Sequence, residues 1–293
     1  SHNPIGFLLI ASGGFLFVGW FVDLGMIRYI SLLLFIGLAY SQFNYQLEEN
    51  IPYYDDDNNI RCELDIYYPE NKKDFPTIVW FHGGGLKAGN KYIADRLKNQ
   101  EVAIISANYR FFPIVSTKQV ISDAAAAVAW AFNNIKDYGG NEKLIFVSGH
   151  SAGGYLTSMV GLDKSWLAKY KIDSDKIAGL IPFSGHAITH FTVREEMGIT
   201  DRNKVIVDSM APLYHVRKNA PPYVIITGNR DLELLGRYEE NAYMARMMRL
   251  TGHQSTIIYE LDGYGHSMVE PALPLLLKFV KEQTSKILEE QTN

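Results

Sequence analysis

The residues best suited to chemistry lie in the segment VSGHSAGGYL, residues 147–156, where Ser151 has a glycine two positions away on either side. An apolar run before the serine predicts a strand, and the residues after it predict a helix, so Ser151 occupies a sharp turn. In such a turn the hydroxyl projects outward, and side chains at the flanking positions would collide with the neighbouring helix and strand. Read alone, the pattern fits either a nucleophile or a turn without chemistry, because the chain has 24 glycines.

A second glycine cluster, WFHGGG at residues 80–85, follows another predicted strand. Attack on an ester carbonyl creates an oxyanion, and two or three backbone N–H groups aimed at that oxyanion lower the barrier by a few kcal/mol. The predicted donors are the amides of Gly83, Gly84 and Ala152. A triple glycine alone is more often a flexible turn, but two glycine motifs that both follow predicted strands favour a catalytic site.

A reactive serine needs a histidine to take its proton and a carboxylate to hold that histidine. His266 follows the last predicted strand and Asp231 follows the strand before it, both downstream of Ser151. We assign His266 as the base and Asp231 as the acid. Glu233 is the second candidate for the acid, and Asp262 is less suitable because it emerges from the same strand as His266. An aspartate at the start of a helix can also be only a cap.

Four residues in or beside the glycine motifs are candidates for the pocket: His82, His150, Leu86 and Tyr155. The two histidines stand inside the motifs, where they shape the loops or line the pocket. Three more histidines belong to residues 185–220 and are expected on the solvated surface, with contact to the substrate as the alternative: His186, His190 and His215.

These residues can act together only if strands bring them to one edge of a sheet. Eight segments predict strands: 45–54, 62–69, 77–82, 102–109, 144–149, 177–185, 223–228 and 255–261. Four segments predict helices: 118–138 after Ser116 as a cap, 152–162, 234–250 and 271–288. Apolar strands that alternate with helices are typical of a doubly wound, mostly parallel sheet, in which ligands bind beyond the carboxyl ends of the strands. Residues 185–220 interrupt the alternation and are interpreted as a short lid insertion in one catalytic domain, residues 42–293.

The composition limits the class of protein. The 293 residues are 47% hydrophobic, which is enough for a sizeable core. The formal net charge is −4 and no long basic run is present, which argues against nucleic acid as a partner. Cys62 is the only cysteine, so no disulfide can form within the chain.

The amino-terminal residues 5–40 are strongly apolar and carry only two charged side chains. One interpretation places a signal peptide at residues 26–41, since small residues near its end suit cleavage before Gln42. Residues 1–25 would then be an apolar extension that precedes the natural start. The alternative makes Ile5–Val22 a membrane anchor, because a run of this length approaches that of a bilayer span. We therefore expect export, periplasmic or secreted, or membrane contact if the apolar segment is retained.

Together the motifs resemble the α/β-hydrolase superfamily and, within it, HGGG-type carboxylesterases of the acetyl esterase, feruloyl esterase and arylformamidase-like branch. The likeness extends over about residues 47–285 and is carried by LDIYYP, PTIVWFHGGGLKAGNK, ANYRFFP, GHSAGG, APLYHVRKNAPPYVIITGNRD and GYGH. One departure is GNRD, residues 228–231, where the family more often has Gly-Asp-x-Asp.

The resemblance implies an α/β-hydrolase fold and a role for each motif residue: Ser151 as nucleophile, Asp231 as acid, His266 as base, and Gly83, Gly84 and Ala152 as oxyanion donors. It implies neither a metal nor an organic cofactor. The expected function is a serine carboxylesterase for short-acyl or aryl esters, including acetyl or feruloyl groups on carbohydrate. The acyl group is expected to be small, because the insertion is short and has no long apolar face.

Two alternatives to this function stay open. An arylformamidase or small-peptide hydrolase would use the same triad on a different bond. An inactive hydrolase fold would instead serve as a binding module, since a fold by itself does not determine activity.

Overall fold

The computed structural model describes residues 8–12, 15–19, 43–54, 61–234 and 236–292. The chain forms two compact units, Ser1–Gln42 and Phe43–Asn293. In the first unit, strands β1 (Leu8–Ser12) and β2 (Phe15–Gly19) pair in antiparallel fashion, within the segment considered above as a membrane anchor. The predicted signal peptide lies outside the described residues. None of the helices in the described ranges is both long enough and apolar enough to cross a membrane.

The second unit is built on an eight-stranded sheet with the strand order β10-β9-β8-β7-β5-β6-β4-β3. Its strands are β3 (Tyr45–Pro52), β4 (Glu63–Pro69), β5 (Phe75–Phe81), β6 (Ala103–Ala107), β7 (Gly140–His150), β8 (Gly179–Phe183), β9 (Tyr223–Gly228) and β10 (Thr256–Leu261). Strand β4 is antiparallel to its two neighbours, β3 and β6. All other neighbouring pairs in this sheet are parallel. The carboxyl ends of β5, β7, β8, β9 and β10 therefore meet at one edge of the sheet.

Helices cover both faces of this sheet. In the described ranges they are α1 (Thr117–Asn134), α2 (Ala152–Leu162), α3 (Ser165–Ala168), α4 (Phe191–Glu196), α5 (Arg237–Leu250) and α6 (Val269–Thr292). Apolar side chains of α1, α2 and α5 pack into one core cluster, and those of α6 pack into another. Residues of the buried strand β5 alternate between the two, with Val79 in the first and Trp80 in the second. Because both faces are covered, the inner strands are apolar throughout.

The predicted fold class is confirmed, and the differences lie at the ends of elements. Helix α1 begins after Ser116, whose side chain accepts a hydrogen bond from the Gln119 amide at 3.2 Å, as an N-cap does. The helix predicted from residue 234 begins only at Arg237, because Gly236 before it has a left-handed φ of 72°. Residues 229–234, after β9, form a turn of their own, and this turn carries part of the site.

Candidate active site

The turn between β7 and α2 holds Ser151 in an unusual backbone conformation. Ser151 has φ 56° and ψ −113°, and its N–H donates to the carbonyl of Phe183, the last residue of β8, at 2.8 Å. A Cβ at Gly149 would lie 2.6 Å from the Phe81 carbonyl oxygen, and a Cβ at Gly153 would overlap that same atom. The flanking positions therefore accept only glycine, as the turn pattern predicts.

His266 is hydrogen-bonded to both Ser151 and a carboxylate. The Ser151 hydroxyl donates to Nε2 of His266 at 2.9 Å, and Nδ1–H of the same ring donates to Oε1 of Glu233 at 2.7 Å. An ionised carboxylate only accepts hydrogen bonds, so Nδ1 carries the ring proton and Nε2 is free to accept the serine proton. The three side chains thus form a continuous series in the orientation that proton transfer requires.

The Glu233 carboxylate is fully buried and receives four hydrogen bonds. Besides His266, its Oε1 accepts from the Leu234 amide at 2.8 Å. Its Oε2 accepts from the Ser184 hydroxyl, and from the Gly228 amide at 3.2 Å. Burial alone would raise the pKa of this carboxyl, but the hydrogen bonds from His266 and the other donors outweigh burial and lower the pKa to about 2. Glu233 is therefore ionised at neutral pH.

The predicted acid, Asp231, is not the residue that contacts His266. The Glu233 amide donates to the carbonyl of Asn229 at 2.8 Å, so this segment forms one helical turn. Asp231 lies on the exposed side of the turn, and the Glu233 carboxylate lies on the buried side. The prediction that Asp231 contacts the histidine is therefore wrong, and the carboxylate bonded to His266 is that of Glu233. Asp262, the less suitable candidate, is exposed and accepts a hydrogen bond from the Asn229 side chain at 2.9 Å.

The glycine loop after β5 lies beside Ser151. A Cβ at Gly83 would lie 3.4 Å from the Cβ of Ser151, and a Cβ at Gly84, with φ 115°, would overlap the Ala88 carbonyl. No described residue accepts a hydrogen bond from the amides of Gly83 and Gly84. Ala152 is the first residue of α2, so its amide has no acceptor within the helix. The fold thus places two of the predicted oxyanion donors, Gly83 and Ala152, beside the serine, and Gly84 follows Gly83 in the loop.

Two histidines of the glycine motifs are buried beside the site. His82 stacks on Tyr109 with ring centroids 4.3 Å apart, and its Nδ1–H donates to the Gly83 carbonyl at 2.6 Å. His150 donates from Nε2 to the His266 carbonyl at 2.7 Å. Burial lowers the pKa of each ring to about 4, so both are neutral at pH 7. His82 supports the glycine loop, and His150 fixes the backbone of His266.

The other two predicted pocket residues do not line a pocket. Leu86 and Tyr155 have no exposed surface and belong to the main core cluster. The Tyr155 hydroxyl donates to the Met210 carbonyl at 2.7 Å, beneath the surface. The prediction is wrong for these two because large apolar and aromatic side chains next to the motifs turn into the core.

The insertion after β8 packs on the glycine loop. The Thr192 hydroxyl donates to the Gly85 carbonyl at 2.5 Å, and Lys87 forms an ion pair with Glu195 at 2.6 Å. Residues 185–220 contain helix α4 and a 3-10 turn, Pro212–His215, but no strand. The role of this segment as a lid stays a prediction.

Two histidines of the insertion are buried rather than solvated. His186 is 7% exposed and His190 is 1% exposed, whereas His215 is partly exposed. Each buried ring has partners: His186 Nδ1 lies 3.0 Å from a Glu240 oxygen, and His190 Nδ1 accepts from the Thr192 amide at 3.1 Å. The surface prediction is wrong for these two because hydrogen-bond partners inside the fold replace water.

The sheet order, the turn at Ser151 and the hydrogen-bonded series through His266 define an α/β-hydrolase. In the described part of the chain, no group of three or more His, Cys, Asp or Glu side chains could hold a metal ion. The BD-FAE family model matches residues 64–235, more than half of the chain, and the chain belongs to the BD-FAE family. The predicted membership of the α/β-hydrolase superfamily is confirmed.

Two curated relatives are esterases by name. Esterase LipC of Mycobacterium tuberculosis (strain ATCC 25618 / H37Rv) is 27% identical over 230 residues, which cover 69% of this chain and 56% of LipC. The probable isoprenylcysteine alpha-carbonyl methylesterase ICMEL1 of Arabidopsis thaliana is 22% identical over 275 residues, which cover 84% of this chain and 57% of ICMEL1. The chain spans a little over half the length of these relatives.

Two solved structures share the fold. A truncated carbohydrate esterase from gut microbiota superposes with a TM-score of 0.70 at 19% identity, covering 84% of this chain and 99% of that one. An inhibited esterase B from Lactobacillus rhamnosis superposes with a TM-score of 0.68 at 16% identity, covering 92% of this chain and 98% of that one. At these identities the likeness shows the fold alone.

Proposed function

We propose that this protein is a serine carboxylic ester hydrolase that acts through a Ser151-His266-Glu233 triad and an acyl-enzyme. The observation that carries the proposal is the unbroken hydrogen-bond series from the Ser151 hydroxyl to the buried Glu233 carboxylate. The Gly83 and Gly84 amides, which donate to no described residue, belong to the loop beside it. The names of the relatives, an esterase and a methylesterase, support the same reaction class.

Each side chain of the triad has a defined step in this mechanism. His266 takes the Ser151 proton on Nε2 while the hydroxyl oxygen attacks the ester carbonyl. The resulting imidazolium is stabilised by Glu233, which does not take the proton because its pKa is about 2. His266 then gives the proton to the leaving alcohol, and the acyl group remains on Ser151.

The backbone amides act on the charge that develops during both halves of the reaction. The carbonyl oxygen becomes an oxyanion, and the amides of Gly83, Gly84 and Ala152 would donate to it, each worth about 3 kcal/mol of barrier lowering. In the second half, His266 activates a water that attacks the acyl-enzyme. The carboxylic acid leaves and Ser151 is regenerated.

The proposed substrates are short-acyl or aryl esters, with the bulk of the molecule on the alcohol side. The support is the insertion, which is short and makes polar contacts with the glycine loop, from Thr192 to Gly85 and between Lys87 and Glu195. A carbohydrate-linked alcohol is the class to test first, since a carbohydrate esterase shares the fold.

An acyl-chain series tests this proposal. We would compare p-nitrophenyl acetate, butyrate and octanoate with a feruloyl ester, acetylated xylan and N-formylkynurenine, using the wild-type protein and Ser151→Ala. We expect the acetate to have the highest kcat/KM of the three alkyl esters, with a decrease of about tenfold or more at octanoate. A folded wild-type protein without activity on any ester would contradict the proposal. Faster hydrolysis of N-formylkynurenine than of every ester would favour an arylformamidase instead.

We also propose that the protein is exported and that its mature form begins at Gln42. The support is the apolar run with small residues before Gln42, as a signal peptidase requires. Amino-terminal sequencing of the protein from its host would test this, and retention of residues 26–41 would contradict it.

A further inference from the structure

Two neighbouring strands of the sheet each end in a serine with a left-handed backbone. Ser151 follows β7 with φ 56°, and Ser184 follows β8 with φ 49°. Ser184 is completely buried, so it has no surface that a substrate could reach. A positive φ is unfavourable for a residue with a Cβ, so a buried instance requires an explanation from its contacts.

All three polar groups of Ser184 are engaged. Its N–H donates to the Ile226 carbonyl on β9 at 2.8 Å. Its hydroxyl donates to Oε2 of Glu233, and its carbonyl accepts from Nη1 of Arg237. Ser184 therefore links the carboxylate of the proposed triad to a buried guanidinium.

Arg237 extends this link to a histidine and a second carboxylate. Arg237 is 3% exposed, and its Nη2 donates to Nε2 of His186 at 2.8 Å. A guanidinium only donates, so His186 Nε2 accepts and His186 Nδ1 carries the proton, which it donates to Glu240 at 3.0 Å. Burial first, and then the Arg237 charge, lower the pKa of His186 well below its usual range, which agrees with a neutral ring.

Glu240 connects the series to the start of the insertion. Its Oε2 also accepts from the Ala187 amide at 3.0 Å and from the Ile188 amide at 3.4 Å. We call Ser184, Arg237, His186 and Glu240 the acid-support network.

We propose that the acid-support network consists of positioning residues that hold the Glu233 carboxylate against His266 and tie the first residues of the insertion to that carboxylate. Glutamate has one more rotatable bond than aspartate, so a glutamate at this position needs more contacts to keep one orientation. Without the Ser184 hydroxyl, the Gly228 amide at 3.2 Å would be the one remaining donor to Oε2 of Glu233 among the described residues. The kinetic consequences rest on the proposed function, whereas the hydrogen-bond geometry does not.

Ser184→Ala is the first test, because it removes one donor from Glu233 and little volume. We expect kcat/KM on p-nitrophenyl acetate to fall about ten- to a hundredfold, mainly in kcat. If the Glu233 carboxylate is held less firmly against His266, the imidazolium loses part of its stabilisation, so the acid limb of the kcat/KM profile should move to lower pH. His150 also faces His266, so the profile should be repeated in His150→Asn to show that the movement belongs to Ser184.

A second measurement does not depend on the substrate. The proton between His266 Nδ1 and Glu233 should give a downfield proton NMR resonance, assigned by its absence from His266→Gln. We expect this resonance to move in Ser184→Ala.

A pair of variants at His186 separates positioning from packing. In His186→Gln the side-chain carbonyl can accept from Arg237 and the amide can donate to Glu240, so we expect kcat/KM within about threefold of wild type. His186→Leu keeps the volume but neither hydrogen bond, and we expect about a tenfold loss together with a moved NMR resonance.

Arg217→Met is the matched control for Arg237→Met. Arg217 donates to the carbonyls of Leu162 and Gly161, at the end of α2 that is remote from Ser151. Both variants should lose stability, but only Arg237→Met should move the resonance and the acid limb. If Ser184→Ala leaves the NMR resonance and the acid limb of the kcat/KM profile at their wild-type positions, the inference is overturned. If the resonance moves but the wild-type protein hydrolyses no ester, the proposed function fails and the inference stands.

Discussion

The turn that carries Ser151, the proposed nucleophile (the nucleophile turn), and the turn that carries Glu233, the proposed acid (the acid turn), are held in place by different forces. Around Ser151 the backbone of β5 comes so close that only glycine fits at positions 149 and 153. Around Glu233 the carboxylate is held by donors that come from the ends of β8, β9 and β10. In the turn at Ser151, close packing of the backbone excludes side chains from the flanking positions. In the turn at Glu233, hydrogen bonds determine which of two carboxylates, Asp231 or Glu233, lies against His266.

The largest expected effect comes from removing the nucleophile. Ser151→Ala should lower kcat on p-nitrophenyl acetate by about 10⁴-fold or more, because no other hydroxyl occupies the turn. The thermal unfolding midpoint should stay close to wild type. A phosphonate ester should form an adduct at Ser151 that mass spectrometry detects in the wild type only. An adduct of equal yield on the variant would place the nucleophile elsewhere.

The acid turn is tested next by Glu233→Gln. The uncharged side-chain amide introduced by this substitution can accept the hydrogen bond from Nδ1–H of neutral His266, but it cannot stabilise the positive charge of the His266 imidazolium. The value of kcat should therefore fall about 10³-fold. Stopped-flow or steady-state assays on p-nitrophenyl acetate measure the change, and circular dichroism serves as the control for folding. Retention of most of the activity would mean that Glu233 is not the acid.

The contrast between the turns explains which parts of the site were predictable. The position of Ser151 was predictable from the spacing of its glycines, because a close approach of two backbones requires glycine at particular positions in the sequence. His266 follows from its place after the last strand. The sheet followed from apolar runs that alternate with helical segments, since burial on both faces removes the polar alternation.

The acid was not predictable to the residue because Asp231 and Glu233 occur in the same short turn. Which carboxylate points inward depends on the bond from the Glu233 amide to the Asn229 carbonyl and on donors far away in the chain, such as Ser184. The replacement of the usual Gly-Asp-x-Asp by GNRD was the available signal. The burial of His186 had no signal in the sequence, because its partner Arg237 lies 51 positions downstream.

The steric side of the comparison is tested by Gly153→Ala. The added Cβ would overlap the Phe81 carbonyl, so we expect a loss of about 3 kcal/mol or more in the free energy of unfolding in urea. Gly263→Ala is the matched control, since Gly263 has φ 78° and no atom within 4 Å of its added Cβ. That control should cost only about 1 kcal/mol for the left-handed backbone. Equal losses in the two variants would contradict a steric origin for the geometry of the nucleophile turn.

The hydrogen-bonded side of the comparison should respond to pH. The pKa of the Glu233 carboxyl is lowered from 4.5 to about 2 by its hydrogen bonds, against the effect of burial. This group therefore stabilises the folded state fully above about pH 4.5, and the effect is lost as the pH falls toward 2. Between pH 7 and pH 3 the loss should be about 2 kcal/mol. Urea unfolding of wild type and Glu233→Gln at both pH values measures it, and a stability difference that does not shrink at pH 3 would contradict it.

The smallest expected effect is at Asp231, and it is the most direct comparison within the acid turn. Asp231 is exposed and lies on the opposite side of the turn from the Glu233 carboxylate, so Asp231→Asn should change kcat/KM by less than about threefold. The variant is matched to Glu233→Gln, because each replaces a carboxylate by the amide of equal size. If Asp231→Asn instead lost about 10³-fold, as expected for the acid, the turn would have to rotate in solution to exchange the two carboxylates. Near-wild-type activity in Asp231→Asn, with a large loss in Glu233→Gln, would show that donors from neighbouring strands, rather than position in the motif, select the acid.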